Sequence, residues 1–376
     1  MENDTKKTLY MQIAQQLEQQ IASNQLHPGD QIPTENELVK QFNVSRMTAR
    51  NALDLLVSKH LIERFPGRGS FVLNTEDTSN PTGNGSKTIG AIFPKIAPAF
   101  GVELLSELSK TADSNNFSLL YTETQNNSFA DEARAIQRMR QSAQGIIVWP
   151  IPGKVIGNEI LKLIIDDYPV VLLDRYIKDV NASYIVTNNQ TATTQALEYL
   201  VGLGHRHICL VPKENVTDTS IQDRLNSAKR FLETNAETDW TMLLTKGIDY
   251  RDSVTVSKEK EKFKKNIKET LAQQPDITAF FVTEYYPATL LYESLVELGY
   301  RVPEDFSIVC YDSPTFYGEN AIHYTHVQQN EANIAKHAFS MLNRLITGKD
   351  KNAAIQQLEA ADLVVGETTG PVRKQK

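Results

Sequence analysis

The sequence predicts an α/β protein with a small winged helix-turn-helix module at the N-terminus and a larger body of two α/β lobes. Apolar residues recur at helical spacing through residues 8–60, and a Gly-rich turn then joins two short β-like runs. From residue 88 onward, short apolar runs alternate with helical segments, which is typical of parallel sheets covered by helices. At 376 residues, the chain is long enough for both parts.

Three helices are predicted in the module, at 8–23, 34–42 and 45–60. The second begins with Thr34, and Glu37 follows at the spacing of a capping box. The third has an apolar stripe on one face, and Arg46 and Arg50 lie one turn apart away from that stripe. A hairpin over residues 61–73 completes the module as its wing.

The charge distribution limits any nucleic-acid contact to part of the surface. The formal net charge is -7, and residues 1–74 contain eight Lys or Arg and eight Asp or Glu, so the acidic excess lies entirely in residues 75–376. Any DNA contact is therefore local. The N-terminus lacks an apolar leader and no long apolar run occurs, which predicts a cytoplasmic protein without membrane contact. Cys209 and Cys310 lie in apolar runs, which indicates buried, reduced thiols.

The run PGDQIPTENELVKQFNVSRMTARNALDLLVSKHLIERFPGRGSFV resembles the DNA-binding domain of GntR-family bacterial regulators, over residues 8–73. The resemblance implies that the third helix enters the major groove of double-stranded operator DNA and that the wing reaches the minor groove. It assigns to DNA binding Asn36, Ser45, Arg46, Met47, Thr48, Arg50, Gly67 and Arg68. Many family members carry Arg where Asn36 stands. The alternative is that the arginines are solvated side chains of an ordinary helix, which the complete pattern disfavours.

Small polar residues dominate the segment TEDTSNPTGNGSK, residues 75–87, which predicts a flexible linker. A coil of about a dozen residues spans roughly 20 Å on average, enough to let the DNA-binding module reorient. The predicted organisation is therefore a DNA-binding domain at 1–74, a linker at 75–87 and a body at 88–376.

Two segments of the body, GLGHRHICLV (202–211) and ELGYRVPEDFSIVCYDS (297–313), resemble signature segments of LacI/GalR-family effector domains. Those domains share the two-lobed type I fold of periplasmic binding proteins, so the resemblance implies a small-molecule effector site and a homodimer. A GntR-type head on a LacI-type body resembles the arrangement of bacterial arabinose repressors. This implies a repressor of genes for an arabinose-like pentose, released from its operator when the sugar binds.

Sugar sites combine carboxylate, amide and guanidinium groups with an aromatic side chain against the sugar's C–H face. By resemblance to sugar-binding members, the candidates are Phe100, Asp174, Arg175, Arg224, Glu284, Asp312 and Gln329. The polar candidates are placed at strand ends or helix starts. Two alternatives remain open: Asp174 and Asp312 could cap turns, and Arg224 could pair with Asp223 or Glu233.

Nothing in the sequence supports an enzyme or a cofactor, because no nucleophile elbow, P-loop or dinucleotide-binding fingerprint occurs. His323 and His326 lie in an extended run and are interpreted as structural, so no metal site is predicted. The charged run at 258–269 predicts an exposed helix with i, i+4 ion pairs. The rival function is a cytoplasmic sugar-binding protein without operator-specific DNA binding.

Overall fold

The computed structural model describes two compact units of the chain, Met1–Ser86 and Lys87–Lys376. The described residues are 9–23, 25–27, 29–58, 61–65, 69–72, 87–124, 128–151, 157–246, 253–314, 321–349 and 353–372. Except for Lys87, the predicted linker lies outside these residues, so its flexibility stays a prediction.

The N-terminal unit is the predicted winged helix. Its elements are α1 (Leu9–Ala22), β1 (Gln31–Ile32), α2 (Glu35–Phe42), α3 (Arg46–Ser58), β2 (Ile62–Phe65) and β3 (Gly69–Val72). Strands β2 and β3 form the antiparallel hairpin, and β1 adds a third strand beside β3. The sequence analysis missed β1 because a two-residue strand is too short to show a period.

Local side-chain chemistry explains where α2 begins and ends, and the burial of one face explains the orientation of α3. The Glu37 N–H donates to the Thr34 side chain and the Thr34 N–H donates to the Glu37 carboxylate, so the predicted capping box forms. Asn43, at φ +50°, ends α2 in the left-handed conformation. The predicted apolar stripe of α3 is buried in the core of the unit, and it consists of Ala49, Ala52, Leu53 and Leu56.

In the second unit, the first lobe has a six-stranded sheet in the order β14-β8-β7-β6-β4-β5, and its strand pairs are parallel. Its elements are β4 (Lys87–Phe93), α4 (Val102–Ser114), β5 (Phe117–Glu123), α5 (Phe129–Ser142), β6 (Ile146–Val148), α6 (Asn158–Ile165), β7 (Val170–Leu173), β8 (Tyr184–Thr187), and, after the second lobe, α11 (Glu331–Ile346) and β14 (Gln356–Glu359). Helix α11 contributes to the core of this lobe.

The second lobe has a six-stranded sheet in the order β10-β9-β11-β12-β13-β15, parallel except for the antiparallel strand β15. Its elements are α7 (Asn189–Gly202), β9 (His207–Val211), α8 (Thr219–Thr234), β10 (Asp239–Met242), α9 (Ser253–Gln273), β11 (Ala279–Val282), α10 (Tyr285–Glu297), β12 (Ser307–Tyr311), β13 (Thr325–Gln329) and β15 (Ala361–Val364). The chain crosses between the lobes after β8, after β13 and between β14 and β15.

The structure corrects three details of the prediction for the body. Strand β10 covers Asp239–Met242, whereas in the sequence the apolar run at 242–244 is the stretch that predicts a strand. Helix α8 begins at Thr219, so Arg224 lies in its second turn and not at its start. The polar residues that open α8 gave no apolar period to mark this turn. Helix α11 was not predicted, although its buried residues recur at helical spacing, and neither was the crossing between β14 and β15, which leaves no local pattern.

The two cysteines and His326 are buried in the second lobe. Cys209 and Cys310 are free and buried, and burial raises the pKa of the Cys209 thiol to about 12. The ring nitrogens of His326 bond the Tyr324 carbonyl and the Gln328 side chain. No helix in the described ranges is long and apolar enough to span a lipid bilayer.

The charged run at 258–269 lies in α9, but its ion pairs differ in part from those predicted. Lys260 and Lys264 pair with Glu297 on the neighbouring helix α10. Within α9, Lys264 pairs with Glu261 at i, i+3, and one i, i+4 pair joins Lys265 to Glu269. The run therefore partly secures α9 against α10.

Candidate functional site

The carboxyl ends of the parallel strands of both lobes line one cleft. Contacts across it join the lobes: the Thr187 hydroxyl at the end of β8 donates to Gln329 Oε1 at the end of β13, at 2.6 Å. The Tyr176 hydroxyl after β7 donates to Asp223 on α8, at 3.2 Å. Ligands of open α/β sheets bind at these strand ends, so the predicted polar candidates lie where a ligand would enter.

Arg224 is the most deeply engaged cation in the described part of the cleft, with an exposed fraction of 4%. Its Nε donates to Asn189 Oδ1 and its Nη1 to the Thr283 carbonyl, each at 2.9 Å. The guanidinium lies 3.8 Å from the centre of the Tyr311 ring. The sequence left open an ion pair with Asp223 or Glu233. Instead, a neutral cage fixes Arg224, which leaves its positive charge facing the carboxylates of the cleft.

Asp312 follows β12 in the left-handed conformation, at φ +61°, and is buried. Gln329 Nε2 donates to its carboxylate, at 3.0 Å from Oδ1 and 2.9 Å from Oδ2. Burial raises the pKa of Asp312 from 3.8 to about 7, although the nearby Arg224 guanidinium opposes this shift. Because Gln329 also binds Thr187, a chain of three side chains connects this carboxylate with the first lobe.

If a ligand hydroxyl donates to the ionised form of Asp312, as the site assignment predicts, effector affinity rises with pH. If that form alone binds, affinity increases about tenfold between about pH 6 and pH 8.

The folding stability of the effector-free protein depends on pH in the opposite direction. Its folded state binds this proton more tightly than the unfolded chain, so the stabilisation is complete below about pH 4 and is lost as the pH rises through about 7. Isothermal titration calorimetry across this range measures the first effect and thermal unfolding the second. In Asp312→Asn we expect weaker, nearly pH-independent effector binding. If the affinity of this variant depended on pH as strongly as that of the parent, Asp312 would not be the titrating group.

The first lobe contributes a carboxylate and an aromatic wall. The Trp149 indole N–H donates to Asp174 Oδ2 at 3.1 Å, and the Phe100 ring lies edge-to-face against Trp149, with centroids 5.2 Å apart. Burial raises the pKa of Asp174, while Arg175 and Arg224 oppose the shift. Asp174 follows β7 at φ +59°, so it forms the turn after this strand. This is the alternative role that the sequence left open, and the carboxylate of Asp174 also faces the cleft.

Arg175 lies between acidic groups of both lobes. Its Nε is 3.6 Å from Asp174 Oδ2 and 3.6 Å from Asp218 Oδ1, the latter across the cleft. Its Nη1 donates to the Pro150 carbonyl. Neither Arg175 Nε nor Asp218 Oδ1 makes a hydrogen bond with another described group, although both atoms are buried. This pair therefore retains hydrogen-bonding capacity.

Glu284 occupies the N-cap position of α10 without capping it. Its Oε1 pairs with Lys213 Nζ at 2.5 Å. Its Oε2 and the neighbouring Thr283 Oγ1 are buried and have no hydrogen-bond partner among the described residues. Buried polar groups are nearly always paired, so these atoms are available to a polar ligand.

Sequence reasoning missed several residues that the structure brings to the cleft. Five of them are Trp149, Asn189, Lys213, Asp218 and Thr283. Trp149 and Thr283 directly follow strands β6 and β11, which is a signal that could have identified them. The other three are recognisable only from their contacts.

A separate cavity of about 600 Å³ lies away from the cleft, near the amino ends of β7 and β8. Its lining includes Ile164, Tyr168, Leu345 and Ile346. Its described lining contains one carboxylate, Asp167, and no guanidinium group, so the cleft remains the candidate effector site despite this volume.

The N-terminal unit presents its candidate DNA contacts on α3. Arg46, Met47 and Arg50 are exposed, and Met47 has an exposed fraction of 67%. The Thr48 N–H donates to Ser45 Oγ at 3.1 Å, which makes Ser45 the cap of this helix. Arg46 pairs with Glu35 on α2, at 3.2 Å.

The remaining candidate DNA contacts lie on α2 and at the wing tip. Asn36 is exposed on α2. Gly67 and Arg68 lie outside the described residues, so their contacts stay predictions. The described candidates nevertheless give α3 an exposed polar face opposite its buried stripe.

Comparison with known families follows this division of the chain. Residues 86–280 match the family of periplasmic binding proteins and sugar-binding domains of the LacI family, and residues 197–369 match the periplasmic binding protein-like domain. The chain belongs to the LacI-type sugar-binding family. Residues 9–72 match the bacterial regulatory proteins of the gntR family, so a GntR-type DNA-binding domain precedes the LacI-type body. Both resemblances noted in the sequence are confirmed.

Individual relatives match either nearly the whole chain or its DNA-binding domain alone. The arabinose metabolism transcriptional repressor of Geobacillus stearothermophilus is 24% identical over 370 residues, covering 97% of this chain and 99% of the relative. The repressor MngR of the mannosyl-D-glycerate transport/metabolism system of Escherichia coli is 47% identical over 66 residues, covering 18% and 28%. These relatives are transcriptional repressors, in agreement with the expectation of a regulator rather than an enzyme.

A solved structure supports the fold of the LacI-type body. A LacI family transcriptional regulator from Enterococcus faecium, crystallised with bound ribose, superposes with a TM-score of 0.59 and 22% identity, covering 76% of this chain and all of that chain. At this identity the likeness establishes the two-lobed fold.

Proposed function

We propose that this protein is a sugar-responsive transcriptional repressor that controls genes for the use of an arabinose-like pentose. The observation that carries the proposal is the cleft of the LacI-type body, where Arg224 and the Asp312–Gln329 pair lie beside an aromatic wall. A GntR-type domain precedes it in the same chain. Repressors of arabinose metabolism match the chain over nearly its whole length, which supports arabinose or a close relative as the effector.

The charges of the cleft favour a neutral sugar over a sugar phosphate. Asn189 and the Thr283 carbonyl accept hydrogen bonds from Arg224, and the Pro150 carbonyl accepts one from Arg175. The Nε of Arg175 makes no hydrogen bond with another described group and lies between the carboxylates of Asp174 and Asp218, which would repel a phosphate. Lys213 is paired with Glu284. A phosphate would have to displace these partners and would approach several carboxylates. Ligand hydroxyls, in contrast, complement the unpartnered acceptor atoms described above.

Sugar binding regulates DNA binding in this proposal by changing the relation of the two lobes. Since polar groups of both lobes face the cleft, a sugar that contacts both favours their closed arrangement. In a homodimer that reads two operator half-sites, lobe closure alters the geometry with which both recognition helices reach DNA. A coupling of about 1–3 kcal/mol corresponds to release by roughly 5- to 150-fold. The homodimer and a cytoplasmic location are parts of the proposal.

The test begins with an operator selected by the protein itself from a library of random DNA duplexes. Release from this duplex is then measured by fluorescence anisotropy with pentoses, hexoses and their phosphates at matched ionic strength. We expect an unphosphorylated pentose to weaken binding by about 5- to 150-fold, and its phosphate to have no effect. Equal retention with every sugar would contradict the proposal. Sugar binding without any specific, salt-sensitive DNA complex would support the rival sugar-binding protein.

A further inference from the structure

Glu331 is a buried carboxylate that no step of the proposed mechanism uses. It is the first residue of α11, two residues after Gln329, and its exposed fraction is 5%. Its Oε2 accepts hydrogen bonds from the Gly101 N–H at 2.8 Å and the Leu104 N–H at 2.9 Å. Glu331 therefore caps the N-terminus of α4 from a helix that is 230 residues away in the sequence.

Helix α4 cannot cap itself. The first N–H groups of a helix lack partners within the helix, and its N-cap residue, Gly101, has no side chain to supply one. Gly101 has a φ of +108°, and a Cβ at this position would lie 2.9 Å from Ile96 Cγ2. A side chain that caps in the ordinary way therefore does not fit there, and the carboxylate of Glu331 replaces it.

The capped turn directly carries the aromatic wall of the cleft. Phe100 precedes Gly101, and its N–H donates to the Ala97 carbonyl at 3.1 Å, which closes a tight loop. The Phe100 ring packs edge-to-face on Trp149, which in turn donates to Asp174. The position of Phe100, and with it the packing around Trp149, thus depends on the turn that Glu331 holds.

The segment that contains Glu331 also carries part of the polar wall of the cleft, which Asp312 and Gln329 form. Gln329 binds Asp312 and Thr187, and the chain then crosses into the first lobe, where Glu331 binds the α4 turn. Asn330 between them caps α11 through the Asn333 N–H, at 3.0 Å. Three consecutive residues therefore fix both walls of the cleft to one crossover between the lobes.

We infer that Glu331 is a positioning residue that sets the affinity of the effector site by holding Phe100 against Trp149. It acts through the α4 turn, without contact to the ligand. The inference rests on the proposed function for its effect on sugar affinity, but the position of the wall can be measured without any sugar.

The fluorescence of a single tryptophan measures how accessible Trp149 is behind the Phe100 ring. The sequence contains two tryptophans, so Trp240→Phe leaves Trp149 as the only reporter. In this background we compare Glu331→Ala, Glu331→Gln and the matched control Glu103→Gln, which removes an exposed acid from the first turn of α4, the helix that Glu331 caps. The readouts are acrylamide quenching of Trp149 without sugar, the Kd for the pentose that releases the operator, and the melting temperature.

Glu331→Ala is expected to increase quenching of Trp149 about twofold and to weaken pentose binding about 10- to 50-fold, because two charge-assisted hydrogen bonds are lost. Glu331→Gln keeps one acceptor oxygen and should lie between Glu331→Ala and the parent in both readouts. Glu103→Gln should match the parent. The Gln variant also provides the measurement if the Ala variant does not fold.

Unchanged quenching and affinity in both Glu331 variants would overturn the inference, even if their melting temperatures fell. In that case Glu331 would stabilise the fold without positioning Phe100. If the parent binds no sugar, the proposed function fails, whereas the sugar-free quenching of Trp149 still decides whether Glu331 holds the wall.

Discussion

Replacing Arg224 by Ala is expected to produce a repressor that stays on its operator at sugar concentrations that release the parent. The change removes the guanidinium that binds Asn189 and the Thr283 carbonyl and stacks on Tyr311. It also removes the positive charge that opposes proton uptake by Asp312 and Asp174. We expect effector affinity to fall at least about 100-fold, since buried partners lose charge-assisted hydrogen bonds.

Two further variants separate this effect from general damage. Arg230→Ala changes an exposed arginine of the same helix and should respond to sugar like the parent. Arg224→Lys keeps a charge but loses the planar donor geometry, so it should recover little of the affinity. Calorimetry gives the sugar affinity and anisotropy gives the operator affinity. A sugar response in Arg224→Ala within about twofold of the parent's would refute a role for Arg224 in the effector site.

The positions of several site residues were predictable because they depend on short-range pattern. Asp174 and Asp312 each follow an apolar run, and in parallel sheets the residues after such runs collect at one edge. The stripe of α3 likewise placed Arg46 and Arg50 on an exposed face, because helical period alone determines which side is buried.

Other parts of the site depend on contacts between distant segments, and no local pattern encodes them. Glu331 lies at the start of a helix that the sequence analysis did not predict, and its partners are the main-chain groups of Gly101 and Leu104. Arg224 was placed at the start of a helix, whereas α8 begins five residues earlier, at Thr219. Its partners, Asn189 and Thr283, come from two other elements. Topology brings these groups together, and one sequence gives no measure of that proximity.

Replacing Arg46 or Arg50 by Ala is expected to weaken operator binding by about 5- to 150-fold each, with sugar affinity unchanged. Both side chains are exposed on α3. Among the described residues, the partner that Arg46 gives up is Glu35 in a surface ion pair, and such pairs contribute little free energy. An arginine that contacts phosphate weakens binding to all sequences and lowers the salt slope by about one, whereas one that reads a base relaxes specificity at one position.

The control for the Arg46→Ala and Arg50→Ala variants is Lys40→Ala, which removes an exposed cation from the final turn of α2 and leaves α3 intact. Anisotropy titrations at several salt concentrations, on the selected operator and on a scrambled duplex, distinguish the two kinds of contact. If Lys40→Ala costs as much as either arginine variant on both duplexes, general positive charge drives binding, and α3 is not the recognition helix. If the arginine variants lose affinity mainly on the selected operator, while sugar affinity is unchanged, α3 reads the DNA sequence and the cleft of the second unit binds sugar independently of it.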